Sequence, residues 1–196
     1  MHEIVPESRE LLESFGYAPA KLQAALHIFP RKMWMYRNSP NSQNIHDLVW
    51  HLTHDEVIEY VQCRWFVSDF GAARLGLGLS GFPERLGYFS QNIKDGLALF
   101  RTLRLATYRF LATLPKSRWE RAIEVPTHGT LTLPQWLQSR EATVSDHIQK
   151  MNVIYIAWRT ARFDPDRAPA DDTLTRAASD RKAQFSMSIS GNDRSE

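Results

Sequence analysis

Four stretches of the chain carry apolar residues at the three- and four-residue spacing of an amphipathic helix. The first is predicted from about Ala18 to Met35, with Leu22, Ala25, Leu26 and Phe29 in register and Pro19 suited to a first turn. Pro30 falls inside that pattern and is expected to kink the helix or end it near Phe29. The second runs from about Asn44 to Asp69, where Ile45, Leu48, Val49, Leu52, Tyr60, Cys63 and Phe66 form one stripe. The third runs from about Ser90, a candidate N-cap, to Leu114, with Ile93, Leu97, Phe100, Leu103, Thr107 and Phe110 as its inner face and Pro115 beyond its end.

The fourth helix has the clearest start. Thr132 followed by Gln135 is a capping box, and Pro134 lies in the first turn; the helix is expected to run to about Trp158. Between the second and third helices, "GAARLGLGLSGFPERLGYF" holds five glycines and a proline, which marks a long connection. Ahead of the fourth, the alternation in "RAIEV" and "GTLTL" fits a short hairpin or a loop equally well. From Asp164 the chain turns polar and reads as a flexible tail, with room for a short helix over 173–182. The expected organisation is a helical domain over residues 1–163 and a tail over 164–196. Four helices with long connections define an all-α four-helix bundle, and sites in bundles are built from side chains that project inward.

Composition narrows the functions. The 196 residues suffice for one domain with a real core, and 43% of them are hydrophobic. Twenty-four basic residues against 22 acidic ones leave a net charge of +2, which gives no ground for a nucleic-acid groove or a polybasic anchor. No apolar run approaches the ~20 residues of a membrane span. The first residues, "MHEIVPESRE", lack the apolar core of a secretory signal. Cys63 is the single cysteine, so no intrachain disulfide forms and a reducing, cytoplasmic setting is expected.

Candidate chemistry comes from helical geometry. With Val144 as origin on the fourth helix, Leu137, Ile148, Met151, Tyr155 and Trp158 lie within about 40°, His147 at about 60° and Thr143 at about 100°. With Leu52 as origin on the second helix, Glu56 lies at about 40°, His51 at about 100° and His54 at about 160°, which assigns His54 to solvent. His147 reads either as a hydrogen-bonded core histidine or as a ligand. Glu56 on an apolar face calls for a buried partner, and Arg140, inward on the fourth helix, is the expected one. Cys63 reads as a small core hydrophobe. His128, before a glycine in "THGTLTL", is either a turn residue or a group lining the site.

These residues resemble a known family. "HLTHDE", His51 to Glu56, is similar to the second-helix signature of the DinB-like superfamily of four-helix bundles. "GTLTLPQWL" and "DHIQKM" resemble its second signature, in which an H-x-x-x-H pair follows a helix start. The likeness runs in order from about Ala18 to Arg159. It implies a divalent metal, zinc or nickel, held by three histidines, with His51 matching the first and His147 the last. The middle position is Thr143, whose neutral hydroxyl is a poor donor for such a metal. His51 and His147 are therefore the expected metal residues, with Thr143, Glu56, Arg140 and His128 lining the pocket.

Two functions follow from that likeness. One is a metal- and thiol-dependent transferase or isomerase, in which the metal activates a bound thiol or water. The other is a metal-free bundle that binds a small molecule or a protein partner. The resemblance also implies a homodimer. Despite the family's name, no nucleic-acid readout motif is present.

Overall fold

A computed structural model describes residues 6–68, 91–125 and 129–163 of the chain. They form four long helices, α1 (Pro6–Ile28), α2 (Ile45–Val67), α3 (Ile93–Ala112) and α4 (Leu133–Phe163). A 3-10 turn at Arg31–Met33 follows α1, and a single helical turn, Lys116–Trp119, follows α3. Strands β1 (Ala122–Val125) and β2 (Gly129–Thr132) then pair antiparallel, Ala122 opposite Thr132 and Val125 opposite Gly129. The hairpin alternative for this segment is the one observed, and Gly129 takes a φ of 70° that disfavours residues with a Cβ. The fold is the expected all-α bundle.

Helix α1 begins about three turns before the expected start, because the buried series extends upstream through Leu12 and Phe15. Pro6 opens it, and Pro19 lies in its interior rather than in its first turn. The far end agrees with expectation: α1 stops at Ile28, and Pro30 leads into the 3-10 turn. Trp34 closes that corner with an indole N–H donated to the Phe29 carbonyl at 3.2 Å.

The caps explain the other boundaries. At α2, Asn44 and Asp47 cap each other, Asp47 N–H donating to Asn44 Oδ1 at 2.8 Å and Asn44 N–H to Asp47 Oδ2 at 3.1 Å. At α3 the cap is Asn92, whose side chain accepts from Lys94 N–H, and not Ser90, which lies outside the described residues. At α4 the capping box forms as read, with Thr132 N–H donating to Gln135 Oε1 at 2.8 Å and Gln135 N–H to Thr132 Oγ1 at 3.4 Å. Thr132 is thus the last residue of β2 and the cap of α4.

Two apolar clusters hold the helices together. One joins Leu22, Leu26, Phe29, Leu48, Leu52, Phe100, Val144 and Met151. The other joins Leu12, Phe15, Cys63, Leu111, Trp119, Leu133 and Leu137. Helix α3 packs on α2 through Gly96, where an added Cβ would come within 3.3 Å of the Trp50 ring and 3.4 Å of Thr53 Oγ1. Thr53 Oγ1 lies 3.0 Å from the Gly96 carbonyl. Helix α4 meets α1 through aromatic pairs, Phe15 with Trp136 at 6.1 Å and Phe29 with Tyr155 at 5.5 Å.

The chain divides into two units, Met1–Trp158 and Arg159–Glu196. Of the second, only the helical residues Arg159–Phe163 are described. The expected polar tail and its short helix, and the glycine-rich connection over 71–89, lie outside the described residues.

The close approach at Gly96 is testable. Gly96→Val should destabilise the protein by about 1–3 kcal/mol through overpacking against Trp50 and Thr53. Gly96→Ala should stay near neutral, its gain of roughly 1 kcal/mol in helix propensity offsetting the tight contact. Urea unfolding at equilibrium reads both, and equal stability of the two variants would contradict the packing described.

Candidate functional site

His147 sits on α4 at the edge of the core and is 9% exposed. Its Nδ1 lies 2.8 Å from the Thr143 carbonyl one turn back, so Nδ1 carries the proton and donates, and Nε2 is left with its lone pair. Burial lowers the His147 pKa, the bond to the Thr143 carbonyl opposes that fall, and Lys150 adds to it. The carboxylates of Asp55 and Asp146 pull the other way. The ring is therefore neutral at neutral pH, and Asp55 of α2 is close enough to act on it.

Thr143, at the position of the missing histidine, is half-buried. Its hydroxyl turns back on its own helix and donates to the Ser139 carbonyl at 3.1 Å. His51 is half-buried on α2, with Asp55 one turn further along. His54 departs from expectation. It is buried, 9% exposed, because α3 covers the side of α2 that carries Trp50 and Thr53. Its pKa is lowered by that burial first, with Asp55 raising it and His51 lowering it further. His128 lies outside the described residues.

The expected Glu56–Arg140 pair is replaced by two pairs. Glu56, 1% exposed, accepts from Arg104 Nε at 2.9 Å and Arg104 Nη2 at 2.6 Å through one carboxylate oxygen. Arg140 pairs instead with Glu59, one turn further along α2, and donates to Ser139 Oγ at 2.9 Å. The guanidinium of Arg104 lies 4.0 Å from the Phe15 ring centre and 5.1 Å from that of Phe100. Glu141 closes the network, accepting from Ser14 Oγ at 2.7 Å and Lys21 Nζ at 2.8 Å.

Arg104, Glu59 and Glu141 were missed for one reason. Arg104 shares the inner face Phe100, Arg104, Thr107, Leu111, whereas Leu103 and Phe110, expected there, are only half-buried. Helical spacing places Glu56 and Arg140 inward, but it does not say which charges on other helices meet them. Cys63 behaves as expected. It is fully buried, and burial pushes its thiol up to about 12, which leaves no thiolate for chemistry at neutral pH.

Among the described residues, no group of three or more His, Cys, Asp or Glu side chains converges to hold a metal ion. A zinc-like ion takes three or four imidazole, thiolate or carboxylate donors. The described donors around His147 do not fit that requirement.

Comparison with known proteins bears on the fold. No protein-family model matches the sequence, and no curated protein matches it. Among solved structures, the chain shares its fold with a four-helix bundle. YfiT from Bacillus subtilis, described as "a probable metal-dependent hydrolase with an unusual four-helix bundle topology", superposes with a TM-score of 0.68. The two chains are 18% identical over 79% of this chain and 89% of that one. At that identity the likeness carries the fold and no activity. No described helix is long and apolar enough to cross a membrane.

Burial pushes the Glu59 carboxyl up to about 7, and Glu56 adds to the rise while Arg140 and Arg104 oppose it. A carboxyl raised on folding binds its proton more tightly in the folded state. Its contribution is full below the ordinary value of 4.5 and is lost as pH rises to about 7. Relative to Glu59→Gln, the wild type should therefore lose on the order of 1–3 kcal/mol of stability across that window. Urea unfolding of both proteins at several pH values measures this, and parallel profiles would refute it.

Proposed function

We propose that this chain is a DinB-like bundle with a degenerate divalent-metal position, and that the face carrying His51 and His147 binds a small organic molecule without a tightly held metal. The observation that carries this reading is the hydroxyl of Thr143, which is engaged with the Ser139 carbonyl at the position where a third imidazole would be needed. In this role His147 offers Nε2 as a hydrogen-bond acceptor at neutral pH, because burial keeps the ring neutral and Nδ1 is committed to the Thr143 carbonyl. His51 lines the same pocket, and Glu56 and Arg140 support it through the charged pairs behind it.

A specific observation favours a second reading. An imidazole whose Nδ1–H is held by a carbonyl is oriented as metal ligands commonly are. Asp55, one turn from His51 and within reach of His147's field, supplies a carboxylate that the histidine signature does not count. Here zinc or nickel, held by His51, His147 and a substitute donor, would lower the pKa of a bound thiol or water, as in a thiol-dependent transferase or isomerase. The neighbour YfiT, described as metal-dependent, keeps that chemistry in view. The homodimer and the cytoplasmic setting belong to the proposal as well, the latter resting on the single cysteine.

Elemental analysis of tag-free protein, beside His147→Ala, decides between the two. The expected result is no stoichiometric metal in either protein and a melting temperature unmoved by excess zinc or nickel. About one metal per chain, lost in the variant, would replace the first reading with the second.

A further inference from the structure

A cavity of ≈ 580 Å³ opens on a different side of the bundle. It is lined by the C-terminal half of α1, the 3-10 turn with Trp34, and the N-terminal half of α3, and no residue of α2 or α4 lines it. Its volume lies within the range of small-molecule sites. The chemistry of its walls is one-sided. Half-buried Trp34, Ile93 and Leu97 give it an aromatic and aliphatic wall, and Phe29 and Phe100, 3% and 1% exposed, lie beneath that wall. Arg31, Lys94 and Arg101 line it too, all three solvent-exposed, and among the described residues no acidic one does. Asp95, the acid in the first turn of α3, is not among the lining residues.

Among the described residues, the three cations are not committed elsewhere. Other basic side chains of the bundle are spent on carboxylates, Arg104 on Glu56, Arg140 on Glu59 and Lys21 on Glu141. Arg31, Lys94 and Arg101 have no ion-pair partner among the described residues. Unpaired cations around an aromatic cavity favour a ligand that is apolar at one end and anionic at the other. The apolar end leaves water against the rings, and the anionic end accepts charge-assisted hydrogen bonds from guanidinium and ammonium groups.

We propose that this cavity is a binding site for a small aromatic organic anion, its ring system against Trp34, Ile93 and Leu97 and its acid group at Arg31, Lys94 and Arg101. The site is separate from the face of His51 and His147, so it stands whether or not that face holds a metal.

Isothermal titration of the full chain with 2-naphthoate, and with the uncharged alcohol of the same ring system, tests the proposal. The carboxylate should bind, and the alcohol should bind at least about tenfold more weakly. Added salt should weaken the carboxylate and leave the alcohol little changed. Arg31→Glu with Arg101→Glu, both at exposed positions, should reduce naphthoate affinity by at least about tenfold while the melting temperature stays close to wild type. His147→Ala should bind naphthoate as the wild type does. Absence of naphthoate binding, equal binding of acid and alcohol, or unchanged affinity in the double variant would overturn the proposal. Loss of binding in His147→Ala would overturn it as well, by moving the ligand to the α2–α4 side.

Discussion

The Glu56–Arg104 pair is the constraint around which the bundle is arranged. Both side chains are almost wholly buried, at 1% and 2% exposure, and they join α2 to α3 at mid-length. In sequence, the charged residues Glu56, Glu59, Arg104, Arg140 and Glu141 fall between the positions that feed the two apolar clusters on their respective helices. The interior therefore has three levels, apolar, charged and apolar. Taking such ions out of water costs several kcal/mol each, and removing one partner of a buried pair costs about 3–5 kcal/mol. An apolar interior tolerates a helix sliding by one turn. A level of matched charges does not, because a slide would leave buried charges without partners.

That charged level also organises the face carrying His51 and His147. Glu56 lies within two turns of His51 on α2 and Glu59 just beyond, and Arg140 and Glu141 lie within two turns of His147 on α4. Engaged by Arg104, Arg140 and Lys21, the carboxylates of Glu56, Glu59 and Glu141 are committed to structure. Asp55 and Asp146 are the carboxylates that still act on His147, and of the two only Asp55 comes from the helix of His51. The shortage of ligands thus has two parts, a threonine where an imidazole is expected and acids drawn into the core.

Much of the fold was legible because its signals are local. The capping box of Thr132 and Gln135 formed as read, α1 ended ahead of Pro30, and the inward positions of Glu56, Cys63 and His147 followed from helical spacing. The features that were not legible depend on neighbours. His54 was assigned to solvent by a wheel that knows one helix only, and α3 covers that side. Arg104 was hidden because Leu103 beside it is the more apolar residue, and the choice between them is made by Glu56 on another helix. The start of α1 was set too late by giving Pro19 the usual role of a proline at a helix start, while Pro6 holds that role. The cavity between α1 and α3 has no sequence signature, since its walls come from two segments far apart in the chain, Pro19–Trp34 and Asn92–Arg101.

Thr132 has a mechanical consequence. It ends β2 and caps α4, so no linker residue separates the sheet from the helix. The direction in which the hairpin ends and the direction in which α4 begins are therefore set by one residue. Arg140 and His147 lie about two and four turns along the helix that starts there, so the same cap that closes the hairpin anchors the element carrying the histidine.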